Sequence, residues 1–165
     1  MSLFFLFFSS EICAQVVLEG ESGVFPVLVS SPLAWQTLPL PSGNHLASFY
    51  DPKTENRVEV LQKEVVRKKH ASALVDAFSS QLVSSGFSVT SSVLEKDYTL
   101  VDGSTRVGAW TEYSFVASDI PIIVVTYSFL IQNHVILVVG YFSRVERESG
   151  LIRLEEVISG MVERR

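Results

Sequence analysis

Residues 106–142 carry three extended runs, RVGAWTEYSF at 106–115, IPIIVVTYSFLI at 120–131 and VILVVGYF at 135–142, and the last two are apolar at nearly every position. Successive side chains of a strand point to opposite faces. A strand with one wet face therefore alternates apolar and polar residues, and one that does not alternate is covered on both faces. The pattern predicts the middle of a sheet. The connectors at 116–119 and 132–134 are far shorter than the roughly dozen residues a parallel crossover takes, so neighbouring strands pair antiparallel.

The rest of the chain supplies the partners of that sheet. Residues 24–30 read as a first strand with Pro26 suited to an edge, residues 31–35 turn the chain, and 38–44 form a loop set by two prolines and Ser42-Gly43. Residues 46–50 and 57–66 read as strands around a turn at 51–56. In the second, Val58 and Val60 alternate with Arg57 and Glu59, which predicts one buried face and a place nearer the sheet edge. Over 71–85, Ala71, Leu74, Val75, Phe78 and Leu82 form one helical stripe, and Gly86 stands where a left-handed residue ends a helix. Residues 87–94 resume an extended pattern, and 95–103 hold a short strand and the Asp102-Gly103 turn. A closing helix spans 149–165, with Leu151, Leu154, Ile158 and Met161 on one face. Ser149 is its expected cap, and Arg164 and Arg165 suit the negative end of its dipole. Two amphipathic helices and a sheet apolar on both sides predict an α+β fold, an antiparallel sheet covered by helices on both faces in an α/β/α sandwich.

The chain has 165 residues, 47% hydrophobic and 19% charged, with a formal charge of −5. That composition excludes disorder and fits one domain. Mild acidity argues against a nucleic-acid partner, which requires a basic patch. The basic run Arg67, Lys68, Lys69 and His70 reads as a solvated turn before the first helix. The N-terminal run MSLFFLFFSSEICAQ is too short for a membrane span, which takes about 20 apolar residues. It fits the hydrophobic part of a secretory signal cleaved after Ala14, although no basic residue precedes it. The expected organisation is a signal at 1–14 and a single domain at 15–165, exported to the periplasm or envelope; the alternative is an apolar N-terminal strand in a cytoplasmic adaptor. Lipidation at Cys13 fits less well, because Ile12 stands where such sites carry a small residue. Cleavage removes the only cysteine, leaving no thiol for a disulfide, a nucleophile or a metal.

The residues that could carry chemistry are sparse. His45, His70 and His134 fall in or beside loops, with no nucleophile elbow accompanying them. Asp97, Asp102 and Glu112 lack a calcium-loop pattern, and 102–108 lacks the glycine-lysine core of a phosphate loop. The sequence thus predicts no enzyme, metal or cofactor. Trp35, Trp110, Tyr113, Tyr127 and Tyr141 form an aromatic set whose simplest role is core. Its functional alternative is a partner or ligand groove formed where a helix leaves the sheet bare, with Trp35, Trp110, Arg106 and Glu112 as its candidate residues. Arg144, Glu146, Arg147 and Glu148 read as a solvated turn into the last helix.

Pro32-Leu33-Ala34-Trp35 after the first strand, Phe49-Tyr50-Asp51-Pro52, Arg57-Val58-Glu59-Val60, residues 103–113 and Gly140-Tyr141-Phe142 together resemble the PsbP-like superfamily. Its members include the PsbP proteins of photosystem II, the Ran-binding Mog protein and exported bacterial proteins of the DcrB type. The resemblance covers roughly residues 24–165 and implies an α/β/α sandwich with a binding or assembly role and no catalytic residues. The expectation is a noncatalytic exported factor with a protein partner, against the alternative of a small-ligand carrier or enzyme with a pocket between sheet and helix.

Overall fold

The computed structural model describes residues 27–32, 34–40, 44–65, 72–115 and 121–163. The leader at 1–14, Cys13, the basic run at 67–70 and the C-terminal Arg164 and Arg165 lie outside the described residues. The elements in chain order are β1 (Val27–Leu28), β2 (Gln36–Thr37), β3 (His45–Tyr50), β4 (Arg57–Glu64), α1 (Ala73–Ser84), β5 (Ser88–Thr99), β6 (Thr105–Phe115), β7 (Ile122–Ile131), β8 (His134–Ser143), α2 (Arg147–Ser159) and β9 (Val162–Glu163). Seven strands form one antiparallel sheet in the order β2-β3-β4-β8-β7-β6-β5, and β1 pairs with β9 in a separate two-stranded sheet. The fold is α+β, rich in antiparallel sheet, with two helices among the described residues.

The non-alternating runs lie inside the sheet as their pattern requires. β7 and β8 pair from Ile122↔Ser143 to Ile131↔His134, and β6 pairs with β7 from Gly108↔Phe129 to Phe115↔Ile122. Alternate residues of β8 feed two separate clusters. Ile136, Val138 and Phe142 pack with Leu154, Val157 and Ile158 of α2, while Leu137 and Val139 join a cluster that holds Leu74, Val75, Phe78 and Leu82 of α1. Phe142 sets how closely α2 approaches: Gly140 on β8 and Gly150 on α2 both face its ring at separations that leave no room for a Cβ.

Several boundaries differ from the sequence pattern for identifiable reasons. β4 lies between β3 and β8, away from the edge, although it alternates. Its polar positions pair with each other: Glu59 is only 7% exposed and is held by the partly exposed Arg57 and by the Tyr141 hydroxyl at 3.2 Å. The two extended pieces at 87–94 and 95–103 are one twelve-residue strand, whose facing is restored by bulges at Thr90 and at Leu94-Glu95. Such bulges are common on edge strands, where they bend the exposed ladder away from unwanted pairing.

The closing helix runs from Arg147 to Ser159, short of the predicted end. Gly160 closes it, Met161 turns into the core, and Val162 and Glu163 pair with Leu28 and Val27. Glu146 rather than Ser149 precedes its first residue, and the Ser149 hydroxyl reaches back to the Glu146 carboxylate at 2.7 Å. His45 and His134 open β3 and β8, and Gln36–Thr37, between the expected turn at 31–35 and loop at 38–44, pairs with β3. Gly86 has φ +94, as the stop after α1 requires.

Candidate functional site

Arg106, Trp110 and Glu112 occupy alternate positions on one face of β6, and each is taken up by a different neighbour. Trp110 packs in an aromatic cluster with Tyr98 and Tyr127, at centroid separations of 6.3 and 6.5 Å. Lys96 Nζ stands 3.6 Å from the Trp110 ring centroid and 3.5 Å from Glu155 on α2. The Tyr98 hydroxyl donates to the same carboxylate at 2.9 Å. Glu155 thereby draws a cation and a phenol across the indole, closing what an open aromatic groove needs exposed. Burial, followed by the Glu155 hydrogen bond, lifts the Tyr98 phenol well above its ordinary range, and burial with the Asp97 charge pushes Tyr127 up to about 12. Arg106 pairs with Glu163 and ties β6 to the small sheet.

Glu112 receives Arg147 through two bonds, Nε at 3.0 Å and Nη2 at 2.7 Å. The hydrogen bond to Glu112 holds the Arg147 guanidinium even more firmly protonated than usual. This pair lies in an open cavity of about 590 Å³ that also takes in Thr90, Ser114, Arg144 and Val145. The sequence pattern grouped Glu112 with Trp35, Trp110 and Arg106 in one groove; here its partner is Arg147, which reads in the sequence as one charge of a solvated turn. The available signal was Glu112 itself, a carboxylate on a strand rich in apolar partners.

The opposite face of the same margin is also open. A second cavity of about 590 Å³ lies between α1 and the outer strands, lined by Val75, Leu94, Val107, Ala109, Thr111 and Leu130 among others. Small side chains at Ala109 and Thr111 form its floor where larger ones would fill the space. Leu94 is 80% exposed, Val107 58% and Val89 51%. The β5–β6 margin thus has an open cavity on each face, and β5 has no strand beyond it among the described residues.

Trp35 lies apart from the other three. It packs on the α2-side core and lines a separate cavity of about 300 Å³ against the 51–56 turn and the first turns of α2. The described residues contain no group of three or more His, Cys, Asp or Glu placed to hold a metal ion. Among them, no helix is long and apolar enough to cross a membrane.

No protein-family profile matches the chain, and no curated protein matches it. Solved structures do. The fold is similar to that of LpqN from Mycobacterium tuberculosis, a protein involved in cell envelope biogenesis, with TM-score 0.61 and 12% identity over 82% of each chain. It is similar to cyanobacterial PsbP from Synechocystis, with TM-score 0.54 and 13% identity over 90% of this chain and 99% of that one. A Bacteroides thetaiotaomicron protein matches with TM-score 0.50 and 12% identity, over 85% of this chain and 46% of that one. The chain therefore has a PsbP-like fold.

Proposed function

We propose that this protein is a noncatalytic binding or assembly factor of the bacterial periplasm or cell envelope, working through a protein partner at the β5–β6 margin. The carrying observation is that margin: a long outer strand, an apolar cavity on one face, and a cavity holding the Glu112–Arg147 pair on the other. Exposed apolar residues grouped beside polar ones mark contact surfaces on folded domains. We read the two helices as the outer layers of an α/β/α sandwich whose coverage leaves residues 88–95 of β5 exposed. The envelope assignment draws on the stated role of LpqN, a fold neighbour, and on the apolar leader at 1–14, taken as a secretory signal preceding the domain at 15–165.

A small-ligand carrier is the second reading. It is favoured by the volume of the apolar cavity, which falls in the range of about 300–1,000 Å³ typical of ligand sites. Cell fractionation with intact-mass measurement tests the main reading. A chain shortened at its N-terminus and recovered from the periplasm or envelope is expected; a full-length chain confined to the cytosol contradicts it.

A further inference from the structure

The strand registers shape the cavity between α1 and the β5–β6 margin. Ala109 pairs with Ser128 and Ser92 with Thr111, which sets short side chains under the open space. Longer ones stand to either side of that row. Leu130 pairs with Val135 and, with Val107, forms one wall; Val89 pairs with Tyr113 and forms the other. From β5 through β6 and β7 to β8 there are three strand spacings of about 4.8 Å, so the floor runs inward for roughly 14 Å. Leu94, Val107 and Val89, all exposed, gather at this one opening instead of being scattered over the surface.

Whatever occupies the cavity meets walls with little to offer a polar group. Among the described lining residues only Asp76 is charged, and it stands exposed on α1 beside the open end. The Ser92 and Thr111 hydroxyls lie 3.4 Å apart and engage each other, and the backbone of the floor is already paired in the β6–β7 and β7–β8 ladders. A peptide pressed into this space would bring N–H and C=O groups that find no partner where water is excluded, which is costly. A hydrocarbon chain brings none. It also suits a space that is long for its width, which a compact ring would leave mostly empty.

The geometry points to a binding site for one hydrocarbon tail, that of a monoacyl lipid whose head group stays in water outside the cavity. The tail would lie across β6 and β7, between the Val107–Leu130 wall and the Val89–Tyr113 wall. This inference rests on the small-ligand reading and gives that ligand its chemistry.

NMR titration of the purified protein, following backbone amides and methyl groups, tests this with octyl, decyl and dodecyl maltoside, each below its micelle concentration, and with maltose as the head group alone. Saturable shifts at Val75, Leu94, Val107, Ala109 and Leu130 are expected, with no response to maltose. Affinity should rise about tenfold or more from octyl to dodecyl, because each added methylene leaves water. Ala109→Phe fills the floor and should weaken dodecyl binding about tenfold. Leu94→Asn, at a position too exposed to disturb folding, should weaken it about threefold. Dodecyl binding unchanged in Leu94→Asn, or in a folded Ala109→Phe, overturns the inference. Equal shifts around Val145 and Ile152, exposed apolar residues elsewhere, would show unspecific adsorption and overturn it as well. So would a doubled mass in sedimentation that moves the same signals without any probe, which gives the cavity to a second copy of the chain. 1-Naphthol separates this inference from the reading beneath it: saturable binding of that compact ring with no gain along the alkyl series keeps a small-ligand site and overturns the tail, whereas no binding of any probe overturns both.

Discussion

Arg147, the first residue of α2, grips both carboxylate oxygens of Glu112 in the middle of β6, at 3.0 and 2.7 Å. The pair joins the helix start to the sheet and forms one wall of the cavity on that face. Because the Glu112 side chain is only 13% exposed and that of Arg147 is 40% exposed, the bond is partly screened. A double-mutant cycle with Glu112→Gln and Arg147→Met should give a coupling of about 1 kcal/mol in urea unfolding. A coupling indistinguishable from zero would mean that solvent competes fully and the pair does not set the cavity wall.

Gly150→Ala isolates the packing of α2. In an exposed helix that change stabilises by about 1 kcal/mol, because alanine is the better helix former. Here the added methyl meets the Phe142 ring, itself 2% exposed, so the expected sign is reversed. Overpacking of this kind costs about 1–3 kcal/mol, and the thermal midpoint should fall by several degrees. A rise would show that α2 can shift away from the sheet freely.

Alkaline stability follows from three tyrosines. Burial is the leading cause that raises Tyr98, Tyr127 and Tyr141, and nearby carboxylates add to each. A phenol whose value is raised on folding contributes stability that is complete below its unfolded value of 10.0 and is lost as pH climbs through the folded one. Unfolding followed by circular dichroism should therefore set in above pH 10.0, together with tyrosinate absorbance, and Tyr98→Phe should flatten the pH dependence. Ionisation of all three in a chain that stays folded would contradict this.

The sheet's middle was legible because β7 and β8 have apolar residues on both faces, and only a covered strand permits that. β4 misled for the converse reason. Arg57 and Glu59 look solvated in a local window, whereas Tyr141, eighty-two residues beyond Glu59, closes over the carboxylate. The same distance effect hid the fate of the predicted groove. Trp110, Arg106 and Glu112 lie on one strand in the sequence pattern, but Glu155, Glu163 and Arg147, which engage them, arrive from the C-terminal third. The bulges of β5 left no mark that one sequence reveals, since Thr90, Leu94 and Glu95 are ordinary residues for an exposed strand.

The β5–β6 margin is the centre of the functional reading, and a photoreactive residue at Leu94 examines it directly in intact cells of the native host. A matched probe at Ile152, 58% exposed on α2, serves as the control surface. A discrete protein adduct in the envelope or periplasmic fraction is expected from Leu94, lost when Val107→Asp is added to a chain that remains folded, and absent from Ile152. Equal adducts from both positions, or none from Leu94, would contradict it.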